Sequence, residues 1–336
     1  VNTNSDSFYR KFNIETKFVI QALDKKMLPE KLLDPVVVNT NNIIKSGDIN
    51  KFHKLDNFGQ HTELGIMEKN NEKELWKQKI KRISSYMTKT YLSVATHMGY
   101  EVVALLELGI PKKNITIMDD SGLTEIWKNM GLKVKSKGDK IMKKEYDICL
   151  MNPPYGKNAN LAIQFVNNSS KLAKTTIAIL PRTLRKTATQ NRINKKLHLI
   201  SDENTPDNTF GIELATCVQQ WTEKSIDREP TKIYTKHMVS DYFEFTTRDK
   251  GDVCIPRVGR YGTGEVIPRN KDMGHRHNYL ERSPNTTYYL KIKRPDTIKK
   301  LEKLYSKFQI ASRDVVGPNS LSIDNLVKIF METYVK

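Results

Sequence analysis

Cysteine is almost missing from this chain: Cys149, Cys217 and Cys254 are the three among 336 residues. Their number is odd and no two stand at C-x-x-C spacing, which excludes a disulfide framework and a cysteine-built structural zinc site. None of the seven histidines pairs with cysteine or carboxylate at metal-ligand spacing, so no metal is expected. Long apolar runs are lacking too. None reaches the roughly 20 residues that a membrane-spanning helix needs, and no signal peptide is read at the start. These readings point to a reducing cytoplasm. Acidic residues are the other shortage: 38 Asp and Glu stand against 56 Lys and Arg, a net charge of +18. That excess suits a polyanionic partner, most simply a nucleic acid whose phosphates the cations neutralise.

What is present divides the chain into three parts. Residues 1–87 read as an N-terminal arm, polar and Asn-rich over its first 60 residues. It ends in an amphipathic helix within 68–87 that carries Leu75, Trp76, Ile80 and Ile83 on one face. Residues 88–228 alternate strand and helix. Strands are expected at 90–95, 114–118, 132–134, 146–151, 176–180 and 217–221, with helices at 99–108, 123–130 and 161–172 between them. That alternation predicts an α/β fold, a mostly parallel sheet with helices on both faces. Residues 229–336 change in texture and read as a smaller mixed domain rich in Arg, Gly and Tyr. It has β-type runs at 253–258 and 286–292 and helices at 297–308 and 322–335.

The most informative residues are Asn152-Pro153-Pro154-Tyr155. They follow the apolar run Tyr146–Met151 and precede Gly156, so they occupy the loop in which a buried strand runs out. In an open α/β sheet that edge is where ligands bind. Two prolines stiffen the loop and remove backbone donors while leaving carbonyl acceptors. A side-chain amide begins the loop and an aromatic ring ends it, a set that suits a flat substrate bearing an exocyclic NH2.

This order of strands with an NPPY loop after the fourth resembles the class I amino-methyltransferases that use S-adenosylmethionine (SAM), and the NPPY form resembles their adenine-N6 branch, found in prokaryotes and phages. The resemblance covers roughly residues 90–224, with 147–156 as its specific core. It implies a Rossmann-like methyltransferase sheet and methylation of adenine N6 in DNA by direct in-line transfer to a flipped base, as in restriction-modification systems. Asn152, Pro153, Pro154 and Tyr155 are then catalytic. For the cofactor the resemblance implies the turn after the first strand, at Thr96, His97 and Gly99. This turn has one glycine where the family has several. It further implies the acid after the second strand (Asp119 or its neighbour Asp120), Asp139, and Asn152 itself. Phe58-Gly59-Gln60-His61-Thr62 faintly resembles the segment that closes over SAM.

Nucleic acid is expected to meet Lys157 beside the motif and the basic loop of Arg182, Arg185 and Lys186. It is also expected to meet the C-terminal region through Arg257, Arg260 and Arg276, where cations mix with glycine and aromatics. The resemblance makes residues 229–336 a target-recognition region. Alternatives remain open: adenine-N6 methylation of RNA, methylation of a release-factor glutamine amide, or a catalytically weak nucleic-acid-binding subunit. Recognition sequence and oligomeric state are not legible.

Overall fold

Tyr91–Val94 (β1) and Tyr146–Met151 (β4) lie side by side as parallel strands, Val94 opposite Met151. All four residues of β1 are buried, as are Ile148 to Met151 of β4, the apolar signature of a strand covered on both faces. Ile115–Met118 (β2) pairs parallel with β1 on its other side and sets Met118 opposite Val94. Lys133–Lys135 (β3) pairs parallel with β2. The carboxyl ends of β1, β2 and β4 are therefore level. Asp147 secures the opposite end of β4: its Oδ2 accepts from Thr90 N at 3.1 Å and Thr90 Oγ1 at 3.0 Å, and its Oδ1 from Lys174 at 3.1 Å.

The computed structural model describes residues 71–94, 99–118, 124–135, 144–207, 209–210, 214–259, 262–270, 278–315 and 318–335. They fall into two compact units, the first comprising residues up to 153 with 171–177 and 206–213, the second comprising 154–170, 178–205 and 214–336. Further strands are Ala173–Pro181 (β5), Leu197–Asn204 (β6) and Thr216–Glu223 (β7). Seven strands form one sheet in the order β3-β2-β1-β4-β5-β7-β6. The order reverses direction between β1 and β4, which defines the topological switch point of a Rossmann-like α/β sheet.

The described helices of the first unit are Glu72–Lys81 (α1), Tyr100–Glu107 (α2) and Thr124–Asn129 (α3). Acidic residues open α1 and lysines close it, as the helix dipole favours. The carbonyl of Thr209 accepts the Asn71 N–H at its start, 2.9 Å away. Glu107 joins α1 to α2, accepting from Lys73 at 2.7 Å and from Lys77 at 3.0 Å.

In the second unit the chain continues through Asn160–Ser169 (α4) and the single turn Thr187–Gln190 (α5). Beyond them lies a four-stranded antiparallel sheet of Phe243–Thr246 (β8), Val253–Pro256 (β9), Ile267–Pro268 (β10) and Thr287–Ile292 (β11), in the order β10-β9-β11-β8. Val253 and Ile255 pack with Phe308, Leu326 and Phe330 from the helices, while Cys254 packs with Ile267, Tyr279 and Tyr289 in a second cluster. This alternation is the period of two that a strand imposes on its side chains. The helix expected over 297–308 is two, Thr297–Glu302 (α6) and Tyr305–Ser312 (α7). The last, Ile323–Tyr334 (α8), is capped by Ser322 Oγ, which accepts from Asn325 N at 3.1 Å.

Candidate functional site

Asn152 is the first residue past β4, so the parallel register carries it out at the level edge of β1, β2 and β4. Its side chain is half-buried. The amide Nδ2 donates to Glu72 Oε1 at 3.1 Å, and the indole Nε1 of Trp76 donates to the same oxygen at 3.1 Å. Glu72 is 6 % exposed and Trp76 fully buried. Burial pushes the Glu72 carboxyl up from 4.5 to about 7, against the lowering effect of the two donors. With its nitrogen committed, the Asn152 amide keeps Oδ1 as an acceptor. No described donor reaches that oxygen or the carbonyl of the buried Pro153.

The motif continues into the second unit. Pro154 is exposed and Tyr155 half-buried. The Tyr155 carbonyl accepts from Ala162 N at 3.3 Å, which ties the loop to α4. Gly156 has φ +67°, and a Cβ there would stand 2.8 Å from Leu161 Cγ. Both the backbone conformation and the crowding require glycine after the tyrosine. Lys157 is exposed and no described group pairs with it.

Of the expected cofactor residues, Thr96, His97, Asp119, Asp120 and Asp139 lie outside the described residues, as does the segment 58–62. Gly99 is described. It precedes α2 with φ +68°, and a Cβ on it would stand 2.2 Å from Trp127 Cζ2. The lone glycine of this turn thus has a packing reason of its own. Two residues beyond it, the buried Glu101 accepts from Ser93 Oγ of β1 at 2.7 Å.

The basic loop expected at phosphates is largely engaged within the second unit. Arg185 donates through Nε and Nη2 to Asp202, the closest approach being 2.5 Å, and through Nη1 to Asn204 Oδ1 at 2.6 Å, with Asp314 at 3.5 Å. Arg182 Nε donates to the Thr216 carbonyl at 3.1 Å, and Lys186 Nζ to that of Ser320 at 3.3 Å. Arg257 Nη2 donates to the Asn285 carbonyl at 2.8 Å, its guanidinium 5.7 Å from the Tyr288 ring centre. Arg260 and Arg276 lie outside the described residues. By contrast Lys195 and Lys196, between α5 and β6, are exposed.

Sequence reasoning missed Glu72. The signal was present: Glu72 stands four residues before Trp76 and eight before Ile80, on the buried stripe of α1. A carboxylate on such a stripe demands a partner. The three cysteines are free and buried, and burial pushes all three thiols up, Cys217 and Cys254 to about 12. No described helix is long and apolar enough to cross a membrane.

No family model matches the chain, and no curated protein sequence does. Among solved structures it is similar to the 16S rRNA methylase RmtB, with TM-score 0.36 and 13 % identity over 57 % of this chain and 76 % of that one. A ribosomal protein L11 methylase from Lactobacillus delbrueckii subsp. bulgaricus gives 0.32 and 13 % over 45 % and 76 %. A dimethyladenosine transferase from Plasmodium falciparum gives 0.30 and 17 % over 41 % and 57 %. Likenesses of this size assign no substrate and no partner.

Proposed function

We propose that this chain methylates the N6 amino group of adenine in DNA, on a base turned out of the stack, with SAM as donor. One observation carries the reading. At the switch point of the sheet, the amide of Asn152 is held by its nitrogen and keeps its oxygen as an acceptor, and among the described residues no donor reaches that oxygen or the carbonyl of Pro153 that follows it.

The chemistry asks for that pair. The N6 lone pair of adenine is delocalised into the ring and is a weak nucleophile. Two acceptors facing its two N–H groups orient the amino group and raise electron density on nitrogen, an electrostatic gain that is largest where the acceptors are already in place. Tyr155 stacks on the extruded base. SAM supplies the electrophilic methyl group when bound. Thr96, His97, Gly99, the Asp119/Asp120 pair and Asp139 are the residues proposed to hold it. Lys157, Lys195 and Lys196 are exposed cations able to meet phosphates, and residues 229–336 form the proposed target-recognition region.

The test is transfer of tritiated methyl from SAM to DNA and to RNA, followed by digestion to nucleosides. N6-methyldeoxyadenosine is the expected product. Label on RNA adenine alone would change the polymer and keep the chemistry. Label on cytosine or on protein, or none on any substrate, would overturn the reading.

A further inference from the structure

We infer that Glu72 is a positioning residue for Asn152, setting which end of the amide faces the substrate; this rests on the amino-methylation reading. The two ends of an asparagine amide are nearly equal in size and opposite in hydrogen-bonding sense. If the group turned over, an N–H would face the substrate NH2, donor against donor. Packing alone cannot choose between the two orientations. A hydrogen-bond acceptor on the enclosed side can, because it accepts from Nδ2 and opposes Oδ1.

Glu72 Oε1 is that acceptor, 3.1 Å from Asn152 Nδ2. Trp76 sets the acceptor in turn. Its indole N–H is donor-only, lies one helical turn along α1, and donates to the same oxygen. Water competes little for the pair, because Glu72 and Trp76 are buried. The donors come from separate parts of the fold, one from the helix that opens the described chain and one from the end of β4. A carboxylate used only to secure α1 would not need to receive the side-chain amide of the motif's first residue.

The test compares Glu72→Met, which keeps size and removes the acceptor, with Glu72→Gln, which keeps a carbonyl and removes the charge. At pH 8, Glu72→Met should lower kcat at least about tenfold, with KM for nucleic acid and thermal midpoint held close to wild type. Glu72→Gln should restore kcat to within about threefold. Equal kcat in Glu72→Met and wild type would overturn the inference. So would equal loss in both variants, which would make the charge and not the acceptor the cause. A second readout is independent of methyl transfer: the 15N-labelled side-chain amide of Asn152, assigned with Asn152→Asp. Its protons should exchange slowly with solvent in wild type and Glu72→Gln and fast in Glu72→Met. If this pattern holds while no substrate is methylated, the positioning stands and the proposed reaction fails. If all three exchange alike, the positioning fails whatever the reaction.

Discussion

Gly99 and Trp127 are packed so closely that a single added methyl group has no room: a Cβ on Gly99 would lie 2.2 Å from Cζ2 of the buried indole. The same glycine holds φ +68° at the N-terminus of α2. One residue therefore starts the helix that follows the strand edge and lets the ring of α3 come down on it. Gly99→Ala combines left-handed strain with overpacking and should cost about 2–4 kcal/mol. Urea unfolding checks this, and a loss under about 0.5 kcal/mol would show that the ring has space to move.

Asn152→Ala removes one of the two acceptors proposed for the substrate amino group. Methyl transfer should fall by at least about a hundredfold, and Tyr155→Ala should abolish it, while nucleic-acid affinity in a gel-shift assay changes little. Full turnover in either variant would remove the assigned site.

Arg185 separates a structural cation from a binding one. Arg185→Met leaves Asp202 with Gln219 as its remaining described side-chain donor, 2.9 Å away. It should cost about 2–3 kcal/mol, somewhat less than a fully buried broken pair, with little effect on nucleic-acid affinity. Lys157→Ala should do the reverse, leaving the denaturation midpoint unchanged and weakening binding. A reversed pattern would return Arg185 to the nucleic-acid surface.

Binding should weaken at least about tenfold between 50 and 200 mM salt, as release of counterions from several phosphates requires. Lys157→Ala should lower the slope of log affinity against log salt by about one unit. A flat titration would mean that the +18 net charge serves another end.

Glu72 gives stability a pH dependence whose sign follows from its burial. Burial raises its carboxyl from 4.5 to about 7, so between those values the folded chain binds a proton that the unfolded chain has released. The favourable contribution is complete below pH 4.5, declines as pH rises toward 7, and is gone above it, a change of about 3 kcal/mol. Measured by urea midpoints, wild type should therefore lose ground against Glu72→Gln between pH 5 and pH 8. A gain over that range would place the carboxyl on the other side of its ordinary value.

Much of the first sheet was legible because its signals are local. The run Tyr146–Met151 alternates nothing and is buried as a central strand should be, and Gly109 and Gly131, both at positive φ, follow α2 and α3 closely. β6 was missed because it is an edge strand: Leu197 is buried but most of the strand is half-exposed and polar, so its period reads as loop beside Lys195 and Lys196. β8 is only four residues long, and its partner β11 lies more than 40 residues away in sequence.

By itself, the order of residues determined that a proline-stiffened amide loop ends a buried parallel strand, because strand periodicity, prolines and the glycine after Tyr155 all act over a few neighbours. Only the tertiary structure decided what the loop and the cations touch. Glu72 reaches Asn152 across 80 residues, and Arg185, expected at phosphates, donates to Asp202. A buried carboxylate takes whichever donor the fold brings to it, and a guanidinium whichever acceptor, and neither choice is written in the sequence on either side.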